Sequence, residues 1–175
     1  MYRFRFGIAI LIAMFMTTNP ALARGIYQQP DVFLQETFPE GVPDPEVVWL
    51  TKSIRSAVED ILAHKPTALR IRYWRKQDRT AWILEEIGKE KPITTGVVIN
   101  KGTLEKIKVL VFRESRGWEV RHDFYTDQFK GASLKQDHYL SQSIDGISGA
   151  TLSVRALQKQ ARLALYLHQT QLSTP

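Results

Sequence analysis

The sequence predicts an α+β domain built on a mainly antiparallel sheet with flanking helices and closed by a C-terminal helix. Three observations predict it. Alternating or β-branched runs recur between Leu69 and Arg121, separated by polar turns. Apolar residues at steps of three and four precede that stretch, from Val47 to Leu62. A longer stripe of the same kind follows it, from Leu152 onward.

The elements follow in chain order. Met1 to Phe6 carries Arg3 and Arg5, Phe6 to Met16 is apolar, and Thr17 to Ala23 ends in Ala-Leu-Ala. This is the three-part plan of a secretory signal peptide. The apolar run is about half of the roughly 20 residues a membrane-spanning helix needs. Residues 1–23 are therefore expected to be cleaved after Ala23, leaving a periplasmic chain that starts at Arg24. Residues 24–65 read as a lead-in followed by a helix. Arg24 to Pro45 holds four prolines and two glycines and reads as irregular. Val47, Leu50, Ile54, Val58, Ile61 and Leu62 form one helical stripe, ended by Lys65-Pro66.

The main domain is expected over 66–170. Leu69, Ile71 and Tyr73 alternate with Arg70, Arg72 and Trp74 as a strand does, and Arg75 to Arg79 is a turn. Thr80 to Ile87 reads as a strand. Thr94 to Ile99 and Ile107 to Arg113 flank Asn100-Lys101-Gly102 as a hairpin. Trp118 to Arg121 reads as a short further strand, and Phe124 to Phe129 as a helical turn closed by Gly131. In the last helix Val154, Leu157, Ala161, Ala164, Leu165 and His168 share one face, with Arg155, Gln158, Lys159 and Arg162 opposite.

Composition narrows the function classes. The chain has 175 residues, 43% hydrophobic and 24% charged, ordinary values for a folded domain. Removing Arg3 and Arg5 with the leader takes 24 basic side chains to 22 against 18 acidic ones, a net of +4. The basic residues are scattered, and an exported chain meets no nucleic acid, so a nucleic-acid partner is not expected. The absence of cysteine excludes disulfides, thiolate catalysis, iron–sulfur ligation and haem attachment through cysteine. His64, His122, His138 and His168 show no metal-ligand spacing and read as structural or surface residues, so no metal site is expected. Glu85 and Glu86 are adjacent on a strand, point to opposite faces, and do not form a catalytic pair.

The remaining chemical signal is Asp145-Gly-Ile-Ser148-Gly149-Ala150-Thr151, immediately before the last helix. Ser148 is placed to cap that helix. The first N–H groups of a helix lack internal partners and lie at the positive end of its dipole, so a phosphate is welcome there. Gly149 and Ala150 leave room for a large group, and Thr151 offers a hydroxyl able to form a phosphoester. An unliganded Ser-x-x-Thr helix cap satisfies the same facts.

Asp145, Ser148, Gly149, Ala150 and Thr151 resemble the acceptor motif Asp-x-x-Ser-Gly-Ala-Thr of the FMN-binding domain family. That family includes components of the sodium-pumping NADH:quinone oxidoreductase and of the Rnf electron-transport complex. The resemblance extends upstream through Gly96 to Ile99, Gly102, Glu105 to Val111, the turn Arg113 to Gly117, and Asp127-Gln128-Phe129-Lys130-Gly131. The turn reads Glu114-Ser115 where many members have Glu-Thr. The resemblance makes 66–170 an FMN-binding domain. It implies FMN attached covalently to Thr151 by a separate FAD:protein FMN transferase, which reads Asp145, Ser148, Gly149 and Ala150. It also implies a role in electron transfer with a membrane-bound donor or acceptor. No residue is assigned a catalytic role. Trp118 and Trp82 are candidates to lie against the flavin ring, and Thr94, Thr95 and Glu114 are candidate polar contacts. Two other functions compete: a periplasmic flavin-dependent reductase of a metal chelate or quinone, and a non-catalytic periplasmic binding module.

Overall fold

The computed structural model describes residues 25–172. The expected leader at 1–23 lies outside the described residues. In chain order the elements are α1 (Pro30–Thr37), β1 (Pro45–Trp49), α2 (Lys52–Leu62), β2 (Arg70–Lys76), β3 (Arg79–Ile87), β4 (Pro92–Asn100), β5 (Thr103–Phe112), α3 (Asp123–Thr126) and α4 (Thr151–Leu172). Single 3-10 turns at Trp118–Arg121 and Asp127–Phe129 flank α3. The five strands form one sheet in sequential order, every neighbour antiparallel. This is the α+β architecture the strand-after-strand pattern predicts.

The sheet is covered on both faces. Val48, Tyr73, Trp82, Val97, Ile99 and Ile107 turn toward α2 and α4, meeting Val58, Ile61, Leu157, Ala161 and Leu165. Ala81, Val98 and Leu110 turn the other way, against Phe33, Leu34 and Phe38 of and just after α1. Alternation along β4 therefore feeds two cores, which is why seven consecutive residues, Ile93 to Ile99, are buried. Gly96 is required at the α1 face: a Cβ there would sit 2.5 Å from the Phe33 ring.

Three readings of the sequence are corrected. The stripe from Val47 to Leu62 is two elements. Val47 and Trp49 are exposed while Val48 is buried, and Val47 pairs with Arg72, so the first part is strand β1. The helix starts only at Lys52 and stops at Leu62, where Ala63 turns left-handed (φ 57°) before Pro66 is reached. Short apolar runs fit both periods, and pairing with β2 decides. The lead-in is not irregular throughout, because Pro30 takes the first-turn position of α1, which helices tolerate. Trp118–Arg121 forms a 3-10 turn rather than a strand, since Gly117 (φ 83°) swings the chain off the sheet. Residues 25–65 thus supply a sheet edge, through β1, and part of the core, through α2. No helix among the described residues is long and apolar enough to cross a membrane.

Candidate functional site

Helix α4 organises the site. The Ala150 carbonyl accepts the Val154 N–H (2.9 Å), so Ala150 holds the N-cap position and Thr151 is the first helical residue. Ser148 is exposed and does not cap the helix. It belongs instead to a turn closed by the Ala150 N–H donating to the Ile147 carbonyl (3.0 Å), with Gly149 at φ 81°, a conformation glycine favours. Alanine has no side-chain acceptor, so the N–H groups of Thr151, Leu152 and Ser153 lead α4 without a side-chain cap among the described residues.

Thr151 is exposed and lines a cleft of about 560 Å³. Gly149 to Ser153 form one side of the cleft. Lys89, from the β3–β4 connection, and Glu114, Ser115 and Arg116, from the loop after β5, form the other. The loop is pulled against the helix at Gly117, where a Cβ would lie 2.5 Å from Ser153 Oγ and 3.5 Å from Ala150 Cα. Trp118 follows directly and is 43% exposed. The Arg121 guanidinium lies over both Trp118 (5.0 Å to the ring centroid) and Tyr27 (4.3 Å), and His122 meets Trp118 edge-on.

Glu114 is tightly bound. One carboxylate oxygen accepts the N–H groups of Lys89, Glu90 and Lys91 at 2.5, 2.6 and 2.9 Å. Partial burial pushes this carboxyl up, but the three amides outweigh burial and hold it below its ordinary value. Glu114 is therefore ionised at neutral pH, and the oxygen that takes the amides is committed to the 89–91 turn.

The structure brings together four of the residues singled out in the sequence: Thr151, Ala150, Gly149 and Glu114. Trp118 stands beside them through Gly117. Asp145 and Ser148 lie exposed on the strap that leads into the helix, and the Asp145 N–H donates to Gln128 Oε1 (2.7 Å). Thr94 and Thr95 lie away from the cleft lining. The Thr94 hydroxyl donates to Glu85 (2.7 Å) and accepts from Arg113 (3.0 Å), while Thr95 is fully buried on the opposite face of β4. Trp82 is corrected outright. It is fully buried, stacked on Tyr73 at 4.8 Å, and its indole N–H donates to Thr80 Oγ1 (2.9 Å), so it is a core residue. Lys89, Arg116 and Ser153 were not legible, because each reads in isolation as an ordinary turn or helix-surface residue. Gln128 carried no role of its own within the segment Asp127 to Gly131.

None of the four histidines lines the cleft. His64 bonds Glu86, which Lys159 also reaches (3.0 Å). His168 is fully buried beneath β3. Glu85 is exposed and Glu86 buried, on opposite faces. Among the described residues no three or more His, Asp or Glu converge as metal ligands.

The cleft suits a phosphate-linked aromatic group. It has the volume of a small-molecule pocket, uncapped helix N–H groups and two cations in Lys89 and Arg116, and the half-exposed Trp118 indole follows two residues after Arg116. No curated protein matches the chain. The family model for the FMN-binding domain matches residues 88–166, which include every residue lining the cleft. The chain carries a domain of the FMN-binding domain family at residues 88–166.

Proposed function

We propose that this protein is an exported flavoprotein that holds FMN through a phosphoester on Thr151 and serves in electron transfer. The observation that carries the attachment is the exposed Thr151 hydroxyl, first residue of α4, inside a cleft that holds Lys89 and Arg116. In the loading step Thr151 Oγ bonds to the FMN phosphorus of FAD. The phosphorus–oxygen bond to AMP breaks, AMP leaves with the bridging oxygen, and the hydroxyl proton passes to a base of the transferase. Bound FMN supplies the chemistry of accepting electrons in pairs and releasing them singly. The chain's own work is to hold and orient it: helix N–H groups and cations at the phosphate end, and Trp118 as an apolar wall for the ring.

The partners in this reading are an FAD:protein FMN transferase and a membrane-bound electron donor or acceptor, met in the periplasm after cleavage behind Ala23. Co-expression with a transferase, followed by a denaturing gel under ultraviolet light, tests the attachment. Wild type is expected to give a fluorescent band and Thr151→Ala none. A fluorescent Thr151→Ala band places the bond elsewhere, and a dark wild-type band rejects covalent loading. The mass of the exported protein is expected to place its first residue at Arg24, and an intact Met1 rejects cleavage.

A further inference from the structure

One wall of the cleft comes from a short polar connection far from Thr151 in the chain. Residues Gly88 to Lys91 join β3 to β4, and the Gly88 N–H donates to the Lys91 carbonyl (3.1 Å). Three successive N–H groups of this turn converge on a single Glu114 oxygen. A nest of amides of this kind is an anion-binding device, here satisfied by an internal carboxylate. The fit is close, for a Cβ on Gly88 would meet Glu114 Oε1 at 2.9 Å and Ile93 Cδ1 at 3.0 Å. The turn is thereby fastened to the loop that carries Ser115 and Arg116, on the far side of the cleft from Thr151. Lys89 is the cation this fastening delivers to the cleft. It pairs with Glu90 (3.4 Å), both side chains being about 70% exposed (71% and 69%), and it acts through space on Glu114; an exposed pairing of this kind is too weak to hold the ammonium away from a nearby anion.

We propose that Glu114 is a positioning residue for the cofactor's phosphate: it holds the 89–91 turn so that Lys89, with Arg116, faces a phosphodiester on Thr151. This rests on Thr151 as the attachment point. A phosphodiester brings about one negative charge. The uncapped α4 N–H groups meet it from the helix side, and Lys89 and Arg116 meet it from the other. Glu114 acts on the phosphate in this arrangement through the 89–91 turn, by the oxygen that takes the three amides. Its work is to hold a polar connection as a fixed wall, and its charge is met by three amides and, through space, by the Lys89 ammonium.

The test uses the full chain covalently loaded with FMN, compared as wild type, Lys89→Gln, Glu114→Gln and Glu114→Ala. Intact mass measures loading, and flavin fluorescence anisotropy and phosphorus NMR report how firmly the group is held. Loaded Lys89→Gln is expected to lose anisotropy and to shift and narrow its phosphorus signal. Salt at about 1 M, where the screening length is about 3 Å, is expected to move wild type toward that state. Glu114→Gln retains an acceptor oxygen for the amides and is expected to keep most of the wild-type anisotropy, while Glu114→Ala is expected to match Lys89→Gln. Lys89 is exposed, so its variant folds whatever becomes of Glu114→Ala. Equal anisotropy and phosphorus signal in loaded wild type and Lys89→Gln would overturn the proposal. A wild-type chain that gains no flavin mass overturns the Thr151 reading beneath it.

Discussion

The two ends of α4 are built for opposite purposes. At its start, Thr151 and Leu152 are exposed, Ala150 provides no cap, and glycines at 149 and 117 strip bulk from the helix and from the loop facing it. At its other end His168 is fully buried. The Gly102 N–H donates to His168 Nε2 (3.2 Å), so the neutral ring carries its proton on Nδ1 and donates to Thr80 Oγ1 (2.8 Å). That oxygen also accepts the Trp82 indole N–H, and Trp82 stacks on Tyr73. Arg75 donates to the Gln171 carbonyl (3.4 Å), a cation at the negative end of the dipole. Midway, Gln160 ties the helix to the Leu84 and Ile93 carbonyls. One end is anchored to the sheet, so the other can leave donors unsatisfied and remain accessible. A helix whose first turn is uncapped forgoes roughly 1 kcal/mol, which the buried half offsets many times over.

The comparison breaks most sharply at Thr151. Thr151→Ala is expected to remove all covalent flavin while changing stability by no more than about 0.5 kcal/mol in denaturant unfolding of the unloaded chain. His168→Ala reverses the pattern. It opens a cavity and leaves Thr80 and the Gly102 N–H without their partner, for a loss of about 2–4 kcal/mol, with loading per folded molecule unchanged. A loading defect as large as that of Thr151→Ala would show the two ends to be coupled rather than divided.

Acid titration sharpens the same contrast. Burial, and secondarily the Arg75 charge, push His168 down to about 4 from 6.5. Its folded value is depressed, so its contribution is complete above pH 6.5 and is lost as pH falls through about 4. The shift corresponds to at most about 3 kcal/mol. The stability gap between wild type and His168→Gln, followed by denaturant unfolding, is expected to narrow over that window. His64 runs the other way and is the smallest effect. Its hydrogen bond to Glu86 raises it, so its contribution is present below pH 6.5 and fades as pH rises through the higher folded value. With the imidazole half-exposed, His64→Gln is expected to cost under about 1 kcal/mol at pH 6 and nothing measurable at pH 9. A larger cost at pH 9 than at pH 6 would reverse the sign of this assignment.

Much of the sheet was legible because alternating or β-branched runs survive translation into structure: Leu69 to Trp74, Thr94 to Ile99 and Ile107 to Arg113 all fall largely within strands. Val47 to Trp49 was not, since three residues cannot distinguish the strand period from the helical one until β2 pairs with them. The motif at Asp145 to Thr151 was legible as a local string. Its cap was misassigned by two residues because Ser148 is a better capping residue than Ala150, and the turn closed at Ile147 overrides that preference. Trp82 and Trp118 looked alike as indoles in a strand-rich region. Only packing separated the buried one, stacked on Tyr73, from the half-exposed one beside α4.

The sequence by itself determined the α+β class, the apolar face of α4 and the threonine at its head, because periodicity and short motifs are local properties of the chain. The tertiary structure decided what surrounds that threonine. Lys89, Glu114 and Arg116 stand between 35 and 62 positions before Thr151 and reach its cleft only because antiparallel pairing brings the end of β3, the start of β4 and the end of β5 to the same side of the sheet, beside the first turn of α4. Contacts of that sequence separation are fixed by chain reversal and packing, and no local pattern encodes them.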